Sequence, residues 1–236
     1  MADSNADDSG AASGEGNPGL HSSVSVDTCP SMEESEERVV GGEEEKPGEI
    51  LIVDPDTEEL DMNHQRITRL ENLEPLTKVE RLYFRWNLIK KIENLEPLVQ
   101  LKELELYDNQ ITTLENLDCL VNLEVLDISF NRIREIKGLE NLLNLEKLFL
   151  CANKISKIEN LSHLKNLTLL ELGDNKIRSN RLTKIENLES LSLVEQLYLS
   201  ENGLTVIEGL EQNKKISTLD LAYNKIQKNN LERRVQ

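Results

Sequence analysis

The stretch Leu145-Glu146-Lys147-Leu148-Phe149-Leu150-Cys151-Ala152-Asn153-Lys154-Ile155 decides how this chain folds. Leu148 and Leu150 alternate with Phe149 at the two-residue period of a strand, so both leucines face one side and Phe149 faces the other. Asn153 ends the strand, where its amide can serve backbone groups as the chain turns. The same pattern recurs outward in both directions. Asn87, Asn109, Asn131, Asn153 and Asn175 stand 22 residues apart, Gln65 holds the column one period earlier, and Asn202 and Asn224 resume the spacing. Each unit reads L-x-x-L-x-L-x-x-N-x-I-x-x-I-E-N-L-x-x-L, a self-similarity that has to be read before any local propensity.

A single unit cannot bury its leucines. Each buried Leu or Ile contributes roughly 1.5–3 kcal/mol, and only stacked neighbours offset the entropy of ordering the chain. The pattern therefore predicts an α/β-type solenoid: a leucine-rich-repeat horseshoe with parallel concave strands and short helical or 3-10 convex segments. Its expected extent is residues 49–228, about eight repeats, with an irregularity at 175–202. There Asn180-Arg181-Leu182 forms a second asparagine column five residues after Asn175, and the unit from Asn175 to Asn202 is 27 residues long. A unit of that length can bulge on the return side without breaking the array, and it reads as an excision joining two repeats. Residues 229–236 carry no further Leu-x-x-Leu and no polar cap, which predicts fraying or association at that end.

The formal net charge of −17 belongs almost wholly to the front of the chain. Residues 1–59 hold 17 acidic and two basic side chains, whereas the remainder carries 27 acidic and 25 basic. Residues 1–48, rich in Ser, Gly, Asp and Glu, are expected to be a disordered acidic tail. Ser31 and Ser35 lie among acids and are candidate phosphate acceptors. The charge balance argues against nucleic acid and against anionic membrane as partners. No apolar stretch follows the first residues and none reaches 18, so neither a signal peptide nor a membrane span is expected. Cys29, Cys119 and Cys151, odd in number and far apart, fit reduced thiols. Asn160-Leu161-Ser162 and Asn166-Leu167-Thr168 match the glycosylation pattern but read as accidents of the repeat.

Catalysis finds no support in the residues. His21, His64 and His163 are widely separated, with no metal-ligand spacing, and there is no phosphate-binding glycine loop or nucleophile elbow. No enzyme, cofactor or metal is expected. Trp86 reads as an exposed anchor at the rim where a strand ends. What does stand out is the position between the two leucines of each strand: Asp61, Tyr83, Glu105, Asp127, Phe149, Glu171, Tyr198 and Asp220. Five acids, three aromatics and no base suit a partner presenting Lys or Arg around an apolar pocket.

Leu106-Tyr107-Asp108-Asn109-Gln110-Ile111, Leu126-Asp127-Ile128-Ser129-Phe130-Asn131 and the recurrent I-E-N-L (Ile92–Leu95, Ile158–Leu161, Ile185–Leu188) resemble the leucine-rich-repeat regulatory subunits of protein phosphatase 1, the regulatory-subunit-7 type, over about residues 50–228. The resemblance implies a non-catalytic regulatory or targeting subunit that binds the phosphatase catalytic subunit through its concave face. It implies a monomer that also meets other phosphatase-1 regulators, and a nuclear phosphoprotein with a cytoplasmic pool. The family contacts map onto Asp127, Phe149, Glu171 and Asp220, with Tyr198, Glu105 and Tyr83 completing the expected site. Against the family pattern the array looks like a shortened, alternatively spliced variant. The docking tetrapeptide Arg/Lys-Val-x-Phe is missing: Arg38-Val39-Val40 precedes Gly41, and Lys78-Val79-Glu80 precedes Arg81. The competing expectation is an acidic leucine-rich nuclear scaffold, like a histone chaperone, holding basic partners through the tail.

Overall fold

The computed structural model describes residues 53–174 and 182–227. The tail 1–48, the junction 175–181 and the C-terminal segment from 228 lie outside the described residues. So do the expectations placed on them: disorder and phosphorylation in the tail, the second asparagine column at Asn180, and fraying beyond 228.

Eight three-residue strands form one parallel sheet in sequence order: β1 (Glu59–Asp61), β2 (Arg81–Tyr83), β3 (Glu103–Glu105), β4 (Val125–Asp127), β5 (Lys147–Phe149), β6 (Leu169–Glu171), β7 (Gln196–Tyr198) and β8 (Thr218–Asp220). The register carries the central leucines into one file, from Leu60 opposite Leu82 to Leu197 opposite Leu219. Beneath the strands lies a continuous core. In the β5 turn Leu145, Leu148, Leu150, Ile155, Ile158, Leu161 and Leu164 are all fully buried. This is the horseshoe that the 22-residue pattern predicts.

The convex segments are single 3-10-type turns. Leu98 N–H donates to Leu95 O at 3.0 Å and Leu101 N–H to Leu98 O at 3.0 Å, and the pair of turns recurs at Leu120 and Leu123. Among the described residues none continues into a helix.

The asparagine column is a ladder of shared bonds. Asn153 Oδ1 accepts from Ile133 N–H at 2.9 Å, and its Nδ2 lies within bonding distance of Ile128 O at 2.9 Å, Cys151 O at 3.1 Å and Leu150 O at 3.2 Å. Asn109, Asn131 and Asn202 are engaged in the same way. One buried side chain thus satisfies backbone groups of its own turn and of the preceding one, which would otherwise cost free energy in a dry interior.

Two further columns require a left-handed backbone. The residue before the strand-end asparagine has positive φ in every turn, from His64 and Trp86 through Phe130 to Tyr223. On the convex side the asparagine of I/L-E-N-L does the same at Asn72, Asn94, Asn116, Asn160 and Asn187, and from Asn94 onward its amide donates to a carbonyl of the previous turn, as Asn116 does to Ile92 O at 2.7 Å. Gly138 and Gly209 replace it in two turns. There a Cβ would stand 2.7 Å from Leu114 O or Ile185 O, so a side chain would force the turns apart.

The 27-residue unit keeps the strands in register, with Leu170 opposite Leu197. Leu182 N–H donates to Asn202 Oδ1, and Gly203 N–H to Leu182 O at 2.8 Å. Leu182 therefore occupies the place that Ile133 holds in its own turn. In sequence the extra residues lie between Asp174, which keeps the regular pattern, and Leu182, and regular spacing resumes through Ile185, Leu188 and Leu191.

Candidate protein interface

Because side chains alternate across a strand, the residue after each central leucine is presented on the concave face, although Leu219 of β8 is itself 38% exposed. Strand pairing sets these residues side by side: Asp61 opposite Tyr83, Tyr83 opposite Glu105, Glu105 opposite Asp127, Asp127 opposite Phe149, Phe149 opposite Glu171, Glu171 opposite Tyr198, and Tyr198 opposite Asp220. All seven expected site residues thus stand in one file with Asp61. Their environments differ, however, and residue identity alone did not separate them.

In the first half of the file Glu105 is answered by an arginine, whereas Asp61 only accepts from Asn63 N–H at 2.9 Å, and an ion pair lies beside the file. Arg81 Nε donates to Glu59 Oε2 at 2.8 Å. The Arg85 guanidinium grips Glu105, with Nη2 donating to Oε1 at 2.5 Å and Nε against Oε2. Glu105 is only 7% exposed. Burial pushes its carboxyl above the usual range while Arg85 pulls it back. The Tyr83 hydroxyl approaches Glu103 Oε2 at 3.4 Å, and burial beside Glu103, Glu59 and Glu105 pushes its pKa up to about 12. Tyr83 therefore stays protonated at any working pH and acts as a hydrogen-bond donor and flat surface.

From β4 onward no arginine or lysine pairs with the file among the described residues. Asp127 Oδ1 accepts from Ser129 N–H at 2.9 Å, and Asp220 Oδ1 accepts from Ala222 N–H at 2.9 Å. Burial raises the carboxyls of Asp127 and Glu171. The Cys151 thiol, bonded to Glu171, draws that carboxyl partly back down, while Asp127 and Asp220 add like-charge repulsion to it. Half-buried Phe149 sits between Asp127 and Glu171 in the file, and Tyr198 between Glu171 and Asp220. An apolar ring thus stands between carboxylates that form no ion pair of their own among the described residues, Asp127 being drawn by the nearby Arg85 charge without pairing to it.

A second feature went unread in the sequence. His64 stacks on Trp86 with ring centroids 4.3 Å apart, Trp86 meets Tyr107 edge-on at 5.5 Å, and Tyr107 meets Phe130 at 4.8 Å. Trp86 is 41% exposed at the strand exit, the rim position expected for it. The near-22 spacing of the four rings was the available signal; the rim read one residue at a time concealed it. His163 is bonded to Leu139 O at 2.8 Å. The glycosylation-like Asn160 and Asn166 spend their amides on Ile136 O and Leu143 O.

The family described as leucine-rich repeats (2 copies) matches residues 99–141. Among solved structures, the chain is similar to internalin C2 of Listeria monocytogenes (25% identity, TM-score 0.65, covering 72% of this chain and 73% of that one). It is also similar to an internalin of the same organism, inlF (29%, 0.62, 69% and 47%), and to a leucine-rich-repeat protein of Leptospira interrogans (30%, 0.64, 71% and 43%). The chain thus spans less than half the length of the latter two. No curated protein matches it in sequence. Stacked leucine-rich repeats of this kind are the fold of a protein–protein interaction scaffold, and this chain is a leucine-rich-repeat solenoid.

Proposed function

We propose that this chain is a non-catalytic regulatory subunit of protein phosphatase 1, docking the catalytic subunit on the β4–β8 half of its concave face and modulating its activity, in the nucleus and in a cytoplasmic pool. The observation that carries the reading is the Asp127–Phe149–Glu171 group, free of ion pairs among the described residues, held in strand register and continued by Tyr198 and Asp220. The resemblance of the repeat strings to that regulatory family supplies the partner's identity, and other phosphatase-1 regulators would meet the complex rather than this face. A solenoid lacking the docking tetrapeptide has to bind by this surface alone. The test is calorimetric titration of the full chain with purified catalytic subunit. Saturable binding is expected, lost in Phe149→Ala/Glu171→Ala; unchanged affinity of that double variant would overturn the reading. The rival, an acidic scaffold gripping basic proteins through its tail, predicts instead that deleting residues 1–48 abolishes binding.

A further inference from the structure

The convex side carries an apolar stripe that the fold does not need. Val99, Val121 and Leu143 occupy one column in three successive turns and are 44%, 47% and 55% exposed. The column is not apolar throughout, since Thr77 precedes the three and Lys165 follows them. Three residues before each aliphatic lies an exposed carboxylate, namely Glu96, Asp118 and Glu140, and Glu74 extends that row one turn further. Segments 96–100, 118–122 and 140–144 contain no Lys or Arg. The stripe is also rigid: Asn122 Nδ2 donates to Val99 O at 2.9 Å, Asn144 Nδ2 to Val121 O at 3.0 Å, and Asn166 Nδ2 to Leu143 O at 3.1 Å. Backbone pinned in this way loses little freedom when a partner arrives.

Paired strands stack about 4.8 Å apart, comparable to the roughly 5.4 Å pitch of an α-helix. A helix laid along the solenoid axis therefore offers one apolar side chain per turn to each of Val99, Val121 and Leu143. The parallel carboxylate row calls for Lys or Arg on the flank of that helix. We infer that the convex stripe Val99–Val121–Leu143, edged by Glu96, Asp118 and Glu140, is a second docking surface for a basic amphipathic helix of a partner protein. It is independent of the concave file, so both surfaces can be occupied together.

The probe is a fluorescein-labelled synthetic helix of leucines on one face and lysines on the other, compared by anisotropy with a scrambled peptide of equal composition that lacks the apolar face. Full-length chain is expected to bind the amphipathic peptide about tenfold more tightly than the scrambled one. Val99→Ser/Val121→Ser/Leu143→Ser, which alters exposed side chains only, should erase that preference, and Glu96→Lys/Asp118→Lys/Glu140→Lys should erase binding at this site independently. Phe149→Ala/Glu171→Ala should leave the preference intact. Equal binding of the two peptides, retention of the preference in both convex variants, or its loss in the concave variant would each overturn the proposal. Concentration-dependent dimerisation that disappears in the serine variant would assign the stripe to a second copy of the chain and equally overturn it.

Discussion

The two halves of the concave file hold nearly the same residue types and differ in what surrounds them. From β1 to β3, Glu105 in the file and Glu59 beside it are spoken for by Arg85 and Arg81, while Asp61 has only the Asn63 N–H. From β4 to β8, Asp127, Glu171 and Asp220 have only neutral hydrogen-bond donors. A carboxylate already paired gains little from an incoming cation, because the partner must first displace its arginine. A carboxylate held ionised against desolvation gains much, since the cation relieves a cost already present in the free protein. Under the proposed reading the first half is the weaker docking surface because Arg85 already pairs with Glu105, burial being common to Glu105, Asp127 and Glu171.

The comparison can be destroyed outright by removing what both halves share. Asn153→Ala deletes an amide serving four backbone groups in two turns, and should cost about 3–5 kcal/mol, read as a lower urea midpoint. Next in size, Phe149→Ala/Glu171→Ala should weaken partner binding by about 2–4 kcal/mol without lowering the midpoint comparably, whereas Arg81→Gln should leave affinity within about twofold. Equal losses from the two halves would abolish the distinction between them. Arg85→Ala strands Glu105 at 7% exposure. Because the arginine itself is partly exposed, the loss of stability should be about 1–2 kcal/mol, measured by denaturant.

The smallest effect has the opposite sign. Asp127 and Glu171 have folded-state pKa values raised by burial, so their ionised forms disfavour the fold. The destabilisation they impose is absent below their unfolded pKa and sets in as pH rises through the folded one. Asp127→Asn should therefore raise the melting temperature by roughly 1–3 °C at neutral pH, while weakening the partner. Acidification should release the partner above the ordinary carboxylate range, because protonation removes the charge it grips. Affinity constant from pH 7 to the folded pKa and below would contradict this assignment.

The fold was legible because leucine spacing and the strand-end asparagine each have one structural meaning. Leu148, Leu150 and Asn153 do in the structure what their spacing implies. The file of strand-centre residues was legible for the same reason. The division within it was not, because it depends on Arg85, which lies outside the Leu-x-Leu pattern and reaches across a turn to Glu105. The left-handed convex column was readable in principle: Asn72, Asn94, Asn116, Gly138, Asn160, Asn187 and Gly209 are drawn only from the two residue types that best tolerate positive φ. The exposed run Val99, Val121, Leu143 was hidden by its similarity to the core leucines flanking it.

Asn202 reaches back 30 residues to Leu172 O at 2.9 Å, where Asn153 reaches back 25 to Ile128 O at the same distance. Its bonding is indifferent to how much chain lies between. An insertion or deletion placed after a strand is therefore confined to its own turn, and neither neighbour has to rearrange. Selection can lengthen or shorten such a chain as freely as a text can gain a clause, trying new sets of partner-facing side chains while the interior stays solved.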